Sequence, residues 1–411
     1  MRRVVVTGLG FVTPLGNDVD TLVKHLKDGY CAVDFIKGYD VEKLKVKIAC
    51  EAKDFDPLDY FTKKEIRRMD RVNMFGIVAS RFAQEDSGLD FSQYPPTRIA
   101  IMMASGIGGI DTIEKESFKA FEKGFSKISP FFTPTVITNM TAAQVAIDLG
   151  IHGYVGCPVT ACAASANAIL DGYRSIKDGY HDVVLAGGSE ASINGLGIGG
   201  FTSMRALNEE NNPNRASIPF DKERSGFVMG EGSVVLVLEE LEKAKARGAK
   251  IYGEILGGAM TCDANHITAP DESGKWVRLA MTEAMRIGHI SLEDVDYINT
   301  HGTSTPLNDK IETKAIKDTF GELANQLYVS STKSMTGHLL GASGSLEAMI
   351  SLLAIQNNFI PPTVNYKVPD PECDLNITPN TSIEKDINIA LSNSLGFGGH
   401  NVCLALKGYE I

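Results

Sequence analysis

No uninterrupted apolar run in the 411-residue sequence is long enough to cross a bilayer, so a helical membrane anchor is not expected. Basic charge is in deficit. The formal net charge of −11 argues against nucleic acid as a partner. The seven cysteines are odd in number and form no C-x-x-C pair, which disfavours a disulfide framework or a zinc knuckle. Low-complexity segments, charged tails and obvious repeats are also missing. The opening "MRRVVVTGLGFVTPLG" has a signal-like look, but its apolar part is short, β-branched and broken by Gly and Pro, and no small-residue cleavage site follows. It reads as a first buried strand. These absences lead to the expectation of a soluble, cytoplasmic protein without membrane insertion.

One further absence removes a cofactor. "GLGFVTPLG" imitates a dinucleotide fingerprint, yet Thr13 stands where the third glycine should be and Pro14 where the helix should begin.

What is present is ordinary globular composition, 43% hydrophobic and 22% charged, enough for two domains or one large double one. Near-continuous apolar runs end in Gly-rich or polar loops: "VVVTGLG", "RIAIMMASGIGG", "DVVLAGGSEAS", "SVVLVLEEL", "VDYINTHGTS" and "INIALSNSLGFGG". Helical patterns lie between them. Buried strands alternating with helices predict an α/β protein whose sheets are covered on both faces. The loops at strand C-terminal ends should carry the site. A boundary is expected after the charged segment Glu242 to Lys250, which divides the chain into 1–250 and 251–411.

Within "GCPVTACAASANAIL", Cys162 precedes a run of very small residues. A helix N-terminus there would favour a thiolate, and small neighbours would leave room for substrate. A packed core cysteine is the other reading, and it suits Cys157 equally well. Of eight histidines, His25, His152, His181 and His289 sit in ordinary contexts, whereas His301 and His338 follow strand-like segments in loops rich in Gly and hydroxyls. Lys333 shares the His338 loop. His266 and His400 are weaker candidates. "GFGGHN", Gly396 to Asn401, is either a β-turn or a loop whose glycines turn amides toward a ligand.

Taken together, "VTGLGFVTPLGN", "SGIGG", "TACAAS", "FDKERSGFVMGEG", "NTHGTSTPLND", "STKSMTGHLLGASG" and "NSLGFGGHN" resemble the β-ketoacyl-[acyl-carrier-protein] synthases of the elongating class, closest to the synthase II type. The resemblance runs over essentially the whole chain. It implies a thiolase-like five-layered α-β-α-β-α sandwich of two similar halves, the first holding the nucleophile and the second both histidines. It implies a homodimer that works with acyl- and malonyl-loaded acyl carrier protein and needs no metal or redox cofactor. The nucleophile falls on Cys162, the two histidines on His301 and His338, and the lysine on Lys333, which is expected to keep His338 neutral and oriented. Phe397 is the gate, with Gly398, Asp263 and Thr268 in the loops that move with it. The amides of Cys162 and Phe397 would hold the oxyanion. Ile107, Phe132 and Phe201 match acyl-pocket positions. Asn265 and Leu395 stand where aromatic residues are common in the family.

An acidic carrier needs a basic landing site. In "TKKEIRRMDR", Thr62 and Glu65 predict a capping box. Lys64, Arg67, Arg68 and Arg71 would then share one helix face, with Lys63 beside them. Arg205 matches another carrier contact. Three alternatives are a polyketide-pathway synthase, a chain-length-factor-like subunit lacking the nucleophile, and a cysteine hydrolase using one histidine and water.

Overall fold

The computed structural model describes residues 2–409. Among them, ten strands form one hydrogen-bonded sheet: β1 (Val4–Val12), β2 (Ile99–Ala104), β3 (Val155–Gly156), β4 (Val183–Glu190), β5 (Gly232–Glu240), β6 (Gly253–Cys262), β7 (Tyr297–Asn299), β8 (Tyr328–Ser330), β9 (Ile389–Gly396) and β10 (His400–Lys407). Their order is β8-β7-β9-β10-β6-β1-β5-β4-β2-β3. The order repeats outward from the middle. β1 runs antiparallel to β5, β5 antiparallel to β4, and β4 parallel to β2, which is parallel to β3. β6, β10, β9, β7 and β8 follow the same scheme. The two sets join where Val4–Val6 pair with Gly253–Ile255. A duplication invisible in the residues is therefore plain in the topology.

Six helices complete the layers. α1 (Arg71–Ser87) and α2 (Met140–Leu149) cover the outer face of the first set of strands. α3 (Ala164–Lys177) packs on β2 and β4, and also on β6 and β10 of the second set. α4 (Lys275–Gly288) and α5 (Pro306–Phe320) lie together, with α4 packed on β6 and β10. α6 (Ser343–Gln356) packs on α3 and on strands of both sets. The result is the expected α-β-α-β-α sandwich.

The central pair explains the small residues. α6 is buried from Ser343 to Ile355, apolar on nearly every side, as a helix between the two sets of strands must be. A Cβ on Gly344 would stand 2.7 Å from Ala166 Cβ and from Ala166 N. Helices this close tolerate only Gly and Ala at the crossing. No helix among the described residues is long and apolar enough to cross a membrane.

Candidate active site

The chain reaches α3 through a tight turn, Ala161–Ala163, in which Ala161 takes φ +51°. A left-handed alanine is strained and persists only where its surroundings enforce it. The turn presents Cys162, 9% exposed, at the head of α3, whose N-cap Ala163 supplies no side-chain cap. Gly396 must be glycine, because a Cβ there would lie 2.6 Å from Thr160 O and 3.2 Å from Cys162 N. That close approach brings the Phe397 amide to the sulfur beside the amide of Cys162 itself.

The electrostatics correct one expectation. Burial pushes the Cys162 thiol up to about 12; the Lys333 charge pulls it down, the Glu190 carboxylate opposes that, and the two amides help less. Desolvation of the sulfur outweighs the helix end, so the resting group is a neutral thiol rather than a ready thiolate.

His301 follows β7, and His338 lies in the loop between β8 and α6. The two rings meet edge to face with centroids 5.3 Å apart. Both are almost completely buried and share one cavity of about 340 Å³ with Cys162. Lys333 Nζ approaches His301 Nδ1 at 3.4 Å, and the lysine is ion-paired with Glu347. The expected partner of Lys333 was His338, and that is corrected: the hydrogen bond goes to His301. His338 is held instead by the Leu340 N–H, which donates to its Nδ1 at 3.3 Å, and by Ser343 Oγ at 2.8 Å. In each ring Nδ1 accepts, which leaves the hydrogen on Nε2. Burial and then the Lys333 charge hold both rings well below the ordinary histidine value, so both are neutral.

Three carboxylates and one aromatic ring support this arrangement, and none was singled out from the residues. Glu312 on α5 accepts from the His301 and Gly302 amides, each at 2.8 Å, and fixes the first loop. Glu347 balances Lys333 from inside α6. Glu190 takes the amides of Gly106 and Gly341. Phe227 sets its ring edge to face with His338, centroids 5.1 Å apart. A single acid inside the apolar segment "SLEAMISLL" was the available signal for Glu347.

The residues expected to form the gate lie together. Asp263 accepts from Asn401 Nδ2 at 2.7 Å and from the Asp271 amide at 3.0 Å. The Gly398 amide donates to Ile267 O at 2.8 Å, next to Thr268. Gly398 and Gly399 take φ +85° and +78°. Phe397 lies 6.3 Å from Phe201, and both line the cavity with Asp263, Thr268, Arg205 and Leu395. Asn265 is exposed on the loop. Ile107 and Phe132 are not brought into this cavity; Ile107 packs against the core that includes Cys162, and Phe132 is half-buried elsewhere.

The reading of the basic segment is corrected as well. The Thr62–Glu65 capping box is present, but its helix is only Lys63–Ile66. Asp70 then caps a new helix, α1. The four basic residues therefore do not share one helix face. Lys63, Lys64, Arg67 and Arg68 are exposed, with Arg68 over the Phe131 ring at 4.8 Å. Arg71 is turned inward, where it donates twice to Glu231 at 3.0 and 2.7 Å.

Two family models match the chain: "Beta-ketoacyl synthase, N-terminal domain" over residues 1–244 and "Beta-ketoacyl synthase, C-terminal domain" over residues 252–367. A 3-oxoacyl-[acyl-carrier-protein] synthase 2 of Synechocystis sp. is 48% identical over 410 residues, covering 100% of this chain and 99% of the relative. One of Staphylococcus aureus is 48% identical over 409 residues with the same coverage. Among solved structures, the ishigamide ketosynthase/chain length factor aligns with TM-score 0.93 at 33% identity over 100% of both chains. A type II polyketide acyl-carrier protein in complex with its ketosynthase, bound to the hexaketide, aligns with TM-score 0.92 at 33% identity over 99% of this chain and 100% of that one.

Proposed function

The chain belongs to the β-ketoacyl synthase family, and from that premise we propose how its residues divide the work of an elongating condensation in fatty acid synthesis. The reaction joins an acyl group to malonyl-acyl carrier protein and gives 3-oxoacyl-acyl carrier protein and CO₂. The supporting observation is the shared cavity of Cys162 and two neutral imidazoles whose Nδ1 atoms are both engaged by protein.

Cys162 Sγ attacks the acyl thioester as its proton leaves, and that proton ends on the departing carrier thiol. A buried neutral thiol suits this exchange, because no free thiolate has to exist beforehand. The oxyanion faces the amides of Cys162 and Phe397. One such donor is typically worth about 10²–10³ in rate.

Malonyl carrier then binds. Its C–CO₂ bond breaks, and the electron pair passes into an enolate whose oxygen takes hydrogen bonds from the two Nε2–H groups. The enolate carbon attacks the acyl-Cys carbonyl, the C–S bond breaks, and the departing sulfur takes up one proton from solvent, which restores the Cys162 thiol. Lys333 keeps both rings neutral by its charge, and it sets the tautomer of His301 directly. The first half of the chain, 1–250, contributes the nucleophile, and 251–411 contributes both histidines.

Lys63, Lys64, Arg67, Arg68 and Arg205 form the carrier's landing site, all exposed on a chain of net charge −11. A second copy of the chain pairs along the open edge at β3, where Tyr154, Val155 and Val159 are exposed. The dimer works in the cytoplasm beside its carrier. A polyketide synthase would use the same chemistry. Relatives named 3-oxoacyl-[acyl-carrier-protein] synthase 2 at 48% identity, against 33% for the type II polyketide ketosynthase structure, favour the former.

Cys162→Ala should abolish the acyl mass shift on the intact protein, and a retained shift removes the nucleophile. His301→Ala should acylate normally and fail to release CO₂ from malonyl carrier; a native rate of release sinks its role.

A further inference from the structure

The carboxylate of Glu190, at the end of β4, is fully buried. Its partners are amides and hydroxyls rather than a cation. It accepts from Gly106 N at 2.7 Å, Ile107 N at 3.3 Å and Ser105 Oγ at 3.3 Å in the loop after β2, and from Ser192 Oγ at 3.4 Å. From the other half of the molecule it accepts the Gly341 amide at 3.0 Å. Burial pushes its carboxyl up to about 7, and in its ionised form it opposes ionisation of Cys162. A buried carboxylate without a cation is costly.

The geometry shows what it does. A Cβ on Gly341 would stand 2.3 Å from Gly106 N, and one on Gly106 would stand 2.7 Å from Glu190 Oε2. The two loops touch with no side chain between them, and the carboxylate joins their amides. One loop carries Ile107. In the other, Gly341 lies between Leu340, whose amide holds His338 Nδ1, and Ser343, whose hydroxyl does the same.

We infer that Glu190 is a positioning residue: through Gly341 it keeps the 340–343 segment set on His338, and it ties that ring to the Ile107 loop. This rests on the role proposed above for His338.

The test uses the full-length protein, with Glu190→Gln, Glu190→Asp and His338→Ala in parallel. Two rates are read: CO₂ release from malonyl carrier, and iodoacetamide alkylation of Cys162, located by peptide mass. A displacement near 1 Å at a catalytic group costs about 10²-fold. Both Glu190 variants should lose decarboxylation kcat on that order while KM for malonyl carrier changes by less than about twofold. At pH 8.5, where Glu190 is ionised, Glu190→Gln should also alkylate faster than native, because the opposing charge is gone; Glu190→Asp, which keeps the charge but is too short for both loops, should not. A Glu190→Gln protein with native decarboxylation, or one in which both rates fall by the same factor, overturns the proposal. If that variant does not fold, undiminished decarboxylation by Glu190→Asp overturns it. Native-rate decarboxylation by His338→Ala would instead overturn the role of His338 itself.

Discussion

Replacing Lys333 with methionine tests the electrostatics at the centre of the molecule. Lys333 and Glu347 are 1% and 2% exposed, and they are ion-paired. Burial pushes Glu347 up to about 7, even with the ammonium pulling it down. In Lys333→Met that pull is gone, and the carboxyl rises further. Breaking a buried pair by removing one member costs about 3–5 kcal/mol while the survivor is charged. The cost depends on pH in a definite direction. Above the unfolded value the native state holds a proton that the unfolded state has released, so stability falls as pH rises, by at most about 1.4 kcal/mol per unit. In the native protein this loss runs from the usual carboxylate range to about 7. In Lys333→Met it continues above 7. Urea unfolding at pH 5.5, 7 and 8.5 should therefore show a small deficit at the lowest pH and the full deficit at the highest. Adding Glu347→Leu should return most of the lost stability and flatten the pH dependence. Decarboxylation should stay low in the double variant, because His301 Nδ1 has still lost its donor. A deficit equal at all three pH values, or a double variant no more stable than Lys333→Met, would refute the reasoning.

Reversing Lys64 and Arg67 to Glu should raise KM for carrier substrates and spare small thioesters; equal effects on both rule out docking there. Arg71→Glu should behave differently, because Arg71 is bonded to Glu231: it should lose about 2–3 kcal/mol in a melt before any effect on carrier affinity is seen. Asp182 is pushed up by burial, but bonds from Arg98 and Arg2 outweigh that and bring it to about 2. The depressed carboxyl should contribute about 2 kcal/mol above the unfolded carboxylate value, lost as pH falls toward 2; an Asp182→Asn acid titration with an unchanged midpoint would contradict this. Gly344→Ala adds a methyl 2.7 Å from Ala166 and should cost about 1–3 kcal/mol by urea unfolding, together with slower acylation as α3 shifts.

The readable parts of the site were those with a local signature. Cys162, His301 and His338 each lie in a short motif at the end of a strand or the head of a helix, so residue type and neighbours sufficed to single them out. The basic segment shows the opposite case. Spacing put Arg71 on a helix face, yet a second capping box at Asp70 and Asn73 restarts the helix and turns the guanidinium toward Glu231. Nothing within ten residues indicates that partner.

The residues by themselves indicated the class of architecture and singled out Cys162, His301 and His338 as candidates, because apolar runs, glycines and motif loops act over a few positions of chain. The repeated strand order, the ring that Lys333 holds, the buried carboxylates and the neutrality of the Cys162 thiol were decided only in three dimensions. Each depends on desolvation and on partners brought together from distant segments, such as Lys333 with Glu347 or Glu190 with Gly341, and burial is a property of the assembled layers, not of any stretch of chain.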